Sequence, residues 1–435
     1  MTGCLLDLIQ HHPGDATALQ YREAVSGPLI SISYQQLRQA ALLKRQQATE
    51  LYQQAASLPY QHIEDFISSL LAYDGFCSAL YLLPEQSADL PVHNEGLPLQ
   101  TISSAHVTHT APQPTFDSNW YLATSGTTGK PKWIEHSLQK LTRTVNTKAS
   151  SRSLCWGLVY QPYRFAGMQV VLQSLLSGAC LVDASEGEIE QRLNIMTQAK
   201  VSALSATPSL WRQFLFSSKL AALPLHQITL GGEIADQPLL NRLQQLFPAA
   251  ALRHIYASTE AGVAFAVTDG KAGFPRRYLE QGYYDLQLKV DQQQHLWLKS
   301  PAMFAPELAN RVDSAGFLDT EDLVRLTAER VLFLGRASGV INVGGNKVHP
   351  EQVEQEILKV AGVAAARVYG KNSSILGQLV MAQIVASPDT DEKELVGRVT
   401  QHCQQQLQRH QLPFKIQLLT ALPLAASGKQ LRTVQ

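Results

Sequence analysis

Residues 121–137 read YLATSGTTGKPKWIEHS. An apolar strand end runs into Thr124, Ser125, Gly126, Thr127, Thr128 and Gly129, and Lys130 and Lys132 follow. Hydroxyls and backbone N–H groups are dense here, and glycine lets the chain approach an anion closely, so the chemistry is that of a phosphate cradle, with a solvated Ser/Thr/Gly loop the alternative that this composition leaves open. It is not the P-loop of Walker type. That pattern needs a glycine where this chain has Thr124 and a Ser or Thr where it has Pro131.

On either side, short apolar runs alternate with helical patterns. SLCWGLVY (153–160) and ACLVDA (179–184) read as strands with the helix GMQVVLQSLL between them. VSALSATP (201–208) and QITLGGE (227–233) repeat the rhythm, and Pro238 suits the first turn of a helix whose buried face is Leu239, Leu240, Leu243, Leu246 and Phe247. Upstream, residues 31–56 predict a helix with Leu37, Ala41, Leu42 and Leu51 at helical intervals, and 85–116 a loop-rich connection. From Leu296 short strands and turns take over. From about residue 337 a small α+β unit follows: strand VINV (340–343), a Gly-Gly turn, a helix after Pro350 facing inward through Val353, Ile357 and Leu358, and a helix over 391–409 with Leu395, Val399, Cys403 and Leu407 on one face. Cys403 is therefore core. The expected class is α/β: a large layered N-terminal domain (1–336) and a small α+β C-terminal domain (337–435).

Composition narrows the partners. The 435 residues carry 36 basic and 36 acidic side chains, so no excess cation attracts nucleic acid or an anionic membrane. The five scattered cysteines show no CxxC pair, which predicts neither a disulfide framework nor a thiolate metal site. The histidines, His11 and His12 included, show no ligand spacing and read as structural or solvated. The N-terminus has no basic region of a signal peptide and the most apolar stretch, 170–182, is too short to span a bilayer. A soluble cytoplasmic protein is expected.

Further segments follow in a fixed order: LGGEIA (230–235), HIYASTEAG (254–262), AGFLDTEDLVRL (315–326), LGRASGVINVGGNKVHPEQVEQEI (334–357) and LPLAASGKQLR (422–432). With the phosphate loop they resemble the signatures of the adenylate-forming superfamily, which holds acyl-CoA and aryl-CoA synthetases, peptide-synthetase adenylation domains and luciferases. The resemblance runs from residue 31 to the end. Relative to that family the chain is compact, and the position of Thr124 puts much of the shortening ahead of the phosphate loop.

What the resemblance implies can be stated residue by residue. Thr124 to Gly129 with Lys132 hold the β- and γ-phosphates of ATP. Gly231, Gly232 and Glu233 flank the adenine, on which Tyr256 stacks, with Ala257 and Ser258 beside it. Thr259 donates to the α-phosphate and Glu260 ligates Mg²⁺, a cation that prefers carboxylate and phosphate oxygens. Asp322 accepts from the ribose hydroxyls and Arg336 supports the same sugar. Lys429 reaches from a mobile small domain to the acid carboxylate and α-phosphate. Gly344, Gly345 and Lys347 serve the second step, transfer to the thiol of coenzyme A or of a carrier protein's phosphopantetheine. The bland alternatives are a solvated tail for Lys429, a helix N-terminal acid for Glu260 and an acidic surface turn for Asp322.

The departures from the family are Ala257 for Gly, Glu321 for Gly, Ser338 for the hinge Asp and Asn342 for Lys. At QPYRFAGMQ (161–169), Arg164 stands where fatty- and aryl-acid ligases commonly carry His, and the Asp that pairs with an amino acid's ammonium is missing. A buried ammonium without a counter-charge is costly, so an α-amino acid is disfavoured. Arg164, Phe165, Met168, Ala261, Gly262, Val263 and Phe265 are expected to shape a pocket for an aryl or aliphatic acid, Arg164 pairing with a carboxylate or making an interdomain salt bridge. The expected activity is ATP-dependent formation of an acyl-AMP with release of pyrophosphate, then thioester formation. The alternative is a silent ligase-like scaffold; luciferase-like oxygenation is the rarer enzymatic option.

Overall fold

The computed structural model describes residues 3–24, 27–84, 100–101, 117–124, 132–258, 262–300, 310–373, 376–388, 390–425 and 428–430. Contacts divide the chain into two compact units: Met1–Ser205 with Ala221–Gln227 and Ser258–Val263, and Ala206–Leu220 with Ile228–Ala257 and Ala264–Gln435. The phosphate loop between 124 and 132 and the segment Thr259–Ala261 lie outside the described residues, as does most of 85–116.

The first unit contains two sheets. One runs Gln100–Thr101, Ala55–Pro59, Ala79–Leu83, Asn119–Thr124 and Lys132–Ser137, parallel except for the last, antiparallel pair. Helix Ile63–Tyr73 is the crossover between two of its parallel strands. The other contains Ala203–Ala206, Cys155–Leu158, Cys180–Asp183 and Thr17–Tyr21 in parallel order, with Ile30–Ser33 antiparallel beside Thr17–Tyr21. Buried parallel strands want continuous apolar runs, which is what 153–160 and 179–184 supply. Cys155 and Cys180, far apart in sequence, are register partners on adjacent strands, and both thiols are free.

The crossover helix Phe165–Ser177 stops at Gly178, whose φ of 74° is the left-handed conformation that a helix end needs and that glycine adopts without strain. A Cβ there would also strike the ring of His12 at 2.8 Å. His12 Nε2 lies 2.9 Å from the Leu175 carbonyl and the Tyr34 hydroxyl donates to the Ala179 carbonyl at 2.8 Å. His12 is thus a structural residue. Helix Tyr34–Gln47 opens with a reciprocal cap between Ser33 and Gln36. It is shorter than its sequence suggests: Leu51 falls in a separate turn, Thr49–Leu51, and Leu42 faces solvent.

In the second unit, helix Gln237–Leu246 joins strands Gln227–Gly231 and Ala251–Ser258, which precede Gly262–Val267 in their sheet. Asp236 caps the helix through Leu239 N at 3.1 Å and Pro238 fills its first turn. Leu239, Leu240 and Leu243 are buried, Leu246 only partly, and Phe247 lies past the last turn. An antiparallel sheet follows, ordered Phe274–Pro275, Arg330–Arg336, Leu318–Leu326, His295–Lys299, Gln287–Val290.

The C-terminal residues form their own sheet from Asn346–Val348, Ile341–Val343, Gly377–Ala386, Val363–Ser373 and Lys415–Leu419. Helices Pro350–Ile357 and Glu392–Gln406 pack on it through Val353, Ile357, Leu395, Val399 and Cys403, so Cys403 is core as its spacing predicts. Leu358 and Leu407 sit one residue beyond these helices, partly buried against the same core. Among the described residues no helix is long and apolar enough to cross a membrane.

Candidate active site

Strand Gln227–Gly231 ends at a pair of glycines with distinct steric reasons. A Cβ on Gly231 would lie 2.8 Å from Ile255 Cγ1, and Gly232 has φ 81°, with Lys429 Cε 3.0 Å from where its Cβ would stand. The loop they open is held to helix Pro208–Phe214. Glu233 Oε2 accepts from Ser209 N at 2.9 Å, Arg212 pairs with Asp236, and Trp211 Nε1 donates to the Thr229 carbonyl at 3.0 Å. These bonds fix the loop from both ends.

The Lys429 turn meets the same helix. Thr207, the helix N-cap, accepts from Leu210 N at 3.1 Å and donates its hydroxyl proton to the Gly428 carbonyl at 2.5 Å. Gln430 N donates to Glu233 Oε1 at 2.7 Å, and Gln430 Nε2 to the Ala366 carbonyl at 2.9 Å. The turn closes on itself through Ala425 N to Lys429 O and Gly428 N to Ala425 O, both 2.8 Å. Lys429 itself is exposed.

Tyr256, near the end of strand Ala251–Ser258, lies nearly parallel to the rings of Phe265 and Phe333, with centroids 5.2 and 5.1 Å away. Its hydroxyl donates to Asp322, and Arg336 Nε reaches the other carboxylate oxygen at 3.0 Å. Asp322 and Arg336 are register partners on antiparallel strands, which explains why residues so far apart in sequence meet. The Asp322 side chain is only 15% exposed, so the surface-turn reading of it does not hold. Burial raises its carboxyl pKa, against the opposing pull of Arg336, the Tyr256 hydroxyl and Lys429, whose charge is felt at this carboxylate. Burial first, and then the carboxylate, push the Tyr256 hydroxyl well above its ordinary value. A buried carboxylate, a guanidinium and a tyrosine hydroxyl thus meet in one cluster, and the Lys429 side chain runs past the bare backbone at 232.

Glu321 stands at φ 60°, the left-handed region, where the resembling family has glycine. Its carboxylate lies 3.3 Å from Arg311 and 3.7 Å from Arg336. Asn342, another of the four departures, has a structural reason: its Oδ1 accepts from Gly345 N at 3.1 Å and closes the turn carrying Gly344 and Gly345, at φ 56° and 85°. That turn joins Ile341–Val343 to Asn346–Val348, with Lys347 exposed, and Ser338 lies in the short turn Ala337–Gly339.

In the first unit, Thr124 and Lys132 are register partners at the mouth of the hairpin that carries the phosphate loop. Ser125, Gly126, Thr127, Thr128 and Gly129, and likewise Thr259, Glu260 and Ala261, lie outside the described residues. Arg164 is the N-cap of helix Phe165–Ser177, its guanidinium 5.7 Å from the Tyr163 ring centroid and its Nε buried with no hydrogen-bond partner among the described residues. Phe165 and Met168 are buried on that helix, with the ring of His136 5.7 Å from Phe165. Gly262 and Val263 open strand Gly262–Val267, and the Val263 carbonyl accepts from Arg143 at 2.6 Å. Phe265, expected in the acid pocket, is instead packed against Tyr256, Phe274 and Tyr278. Among the described residues no three His, Cys, Asp or Glu side chains cluster to hold a metal ion.

Sequence reasoning missed Thr207, Ser209 and Gln430. The Thr-Pro at 207–208 announces a helix start, but nothing in the sequence says that its hydroxyl meets residue 428.

A 2-succinylbenzoate–CoA ligase of Lactococcus lactis subsp. lactis (strain IL1403) is 24% identical over 326 residues, covering 71% of this chain and 68% of its own length. That of Bacillus subtilis (strain 168) is 25% identical over 338 residues, covering 71% and 66%. Among solved structures, the anthranilate CoA ligase AuaEII with anthranoyl-AMP aligns over 98% of this chain and 95% of its own at TM-score 0.75 and 15% identity. The o-succinylbenzoate CoA synthetase (MenE) from Bacillus subtilis with OSB-AMP aligns over 98% and 96% at TM-score 0.68 and 20% identity. The family described as AMP-binding enzyme matches residues 67–286, and its C-terminal domain residues 352–429. With half its length matched by the first and its lysine turn reached by the second, the chain belongs to the AMP-binding enzyme family.

Proposed function

We propose that this protein is an AMP-forming ligase for an aryl carboxylic acid that carries a second carboxylate, with 2-succinylbenzoate the first acid to test and coenzyme A the acceptor. The acid's carboxylate oxygen attacks the α-phosphorus of ATP, the bond to the β-phosphate breaks, and pyrophosphate leaves. The thiol of coenzyme A then attacks the acyl carbon and AMP departs. The observation that carries this reading is the Lys429 turn, tied to the helix after Thr207 and to Glu233, with the Lys429 side chain against Gly232. In that position a lysine stabilises charge as it builds between carboxylate and α-phosphate.

Asp322 and Arg336 serve as the ribose site, with Tyr256 and Gly231–Glu233 on the adenine side. Asp322 has an oxygen directed at each of Tyr256 and Arg336, and a carboxylate has room for further donors. Thr124 to Gly129, Lys132 and Thr259 take the phosphates. Glu260 is the protein ligand for Mg²⁺, which supplies charge neutralisation at the phosphates when bound. We assign the thioester step to Gly344, Gly345 and Lys347 and the mobile boundary to 336/337, with Ser338 in the hinge. The five free thiols fit a reducing cytoplasm. A carrier-protein phosphopantetheine is the competing acceptor.

The named acid of the relatives has two carboxylates, and Arg164, whose buried Nε has no partner among the described residues, is a fitting counter-charge for one of them. Incubation with ATP, Mg²⁺, 2-succinylbenzoate and coenzyme A is expected to yield the aryl-CoA thioester by mass spectrometry. Carrier protein in place of coenzyme A discriminates the acceptors. Arg164→Ala is expected to raise KM for 2-succinylbenzoate about tenfold while changing that for benzoate little, the difference of one charge-assisted contact. Equal effects on both acids would remove Arg164 from the second carboxylate.

A further inference from the structure

Glu233 sits in the loop expected beside adenine, yet both its carboxylate oxygens are engaged elsewhere. Oε2 accepts from Ser209 N at 2.9 Å and Oε1 from Gln430 N at 2.7 Å. Ser209 is in the first turn of helix Pro208–Phe214, where backbone N–H groups lack intrahelical partners and favour an anion. Gln430 is the residue after Lys429. One carboxylate therefore bridges a fixed helix end and the peptide next to the lysine.

Two further contacts act on the same turn. The Thr207 hydroxyl holds the Gly428 carbonyl, so the peptides on both sides of Lys429 are tethered. Gly232, immediately before Glu233, is in the left-handed region with Lys429 Cε 3.0 Å from the place of a Cβ. The aliphatic part of the lysine thus runs across the backbone that Glu233 anchors. Neither tether uses the ammonium: both act on the backbone on either side of the lysine.

We propose that Glu233 is a positioning residue for Lys429: its carboxylate couples the loop 230–235 to the lysine turn and sets how long the turn stays in the adenylating arrangement. This rests on the reading of Lys429 given above. Charge-assisted bonds from two backbone N–H groups are individually strong, and both are lost when the carboxylate is removed. Since the small domain must release Lys429 before the Gly344–Lys347 loop can serve the second step, the tether biases the two half-reactions in opposite senses.

The test measures the half-reactions separately: pyrophosphate–ATP exchange with 2-succinylbenzoate, and thioester formation from the supplied acyl-adenylate and coenzyme A. Glu233→Ala is expected to lower exchange kcat at saturating ATP by about tenfold or more, with the second step unchanged or faster. Glu233→Gln, whose amide oxygen keeps one acceptor, is expected to fall between. Hydrogen exchange of the amides at 428–430 is expected to accelerate in Glu233→Ala while helix Glu392–Gln406 keeps its protection. Equal losses in both steps, a loss confined to KM for ATP, or unchanged exchange at 428–430 would each overturn the proposal. If the wild type exchanges no pyrophosphate with any acid, the functional reading fails, and amide exchange at 428–430 alone then decides the tether.

Discussion

Glu321 is where a single residue departs most from local rules. A side chain at φ 60° costs roughly 1–2 kcal/mol relative to glycine, because Cβ crowds the following carbonyl. Its partners, Arg311 at 3.3 Å and Arg336 at 3.7 Å, are partly exposed, and such pairs return about 0–1 kcal/mol. Glu321→Gly is therefore expected to melt higher than Glu321→Gln, which keeps the strain and discards the charge. The reverse order in thermal unfolding would mean that the backbone here is unstrained. The departure is legible in the sequence as Glu for Gly, but its conformation is not, since the turn geometry comes from the strands on either side.

Among the elements, helix Ile63–Tyr73 shows how a buried acid can join three of them. Asp74, its C-terminal cap, accepts from Leu5 N of the first helix at 2.6 Å and from Trp120 Nε1 of strand Asn119–Thr124 at 2.8 Å. Burial raises its pKa to about 6 from 3.8, with those two bonds and Arg45 pulling the other way. The folded state then holds a proton that the unfolded chain has lost, so this group's contribution to stability is full below the unfolded value and declines as pH rises from about 4 through about 6. Asp74→Asn is expected to flatten that part of the melting profile, and to cost about 1–3 kcal/mol because its NH₂ must face a donor. A wild-type profile already flat between pH 4 and 6 would refute the assignment.

Element types were legible because their apolar periods are: a continuous run for the strand Cys155–Leu158, a helical stripe for Gln237–Leu246. Ends were less so. Leu51 and Leu407 continue the stripe in sequence, but a new turn begins before one and the chain becomes extended at the other. Which strands adjoin was not legible, so the apposition of Cys155 and Cys180 appears only in three dimensions.

For the whole molecule, the order of six motifs carried the family, and membership follows from matches at 67–286 and 352–429. The same motifs did not reveal how they touch. Thr207 and Gly428 are 221 residues apart, and Glu233 and Gln430 are 197 apart. Contacts at that separation depend on the packed fold, and no local pattern encodes them. The expected phosphate loop, plain in the sequence, lies outside the described residues.

If this chain activates an acid with ATP through Lys429, labelled pyrophosphate enters ATP when 2-succinylbenzoate is added. Clear exchange is expected from the wild type, with a fall of about 10²–10³-fold in Lys429→Ala, the usual cost of removing one donor to developing charge. Exchange that proceeds equally well without Lys429, or none with any aryl or aliphatic acid, would contradict it.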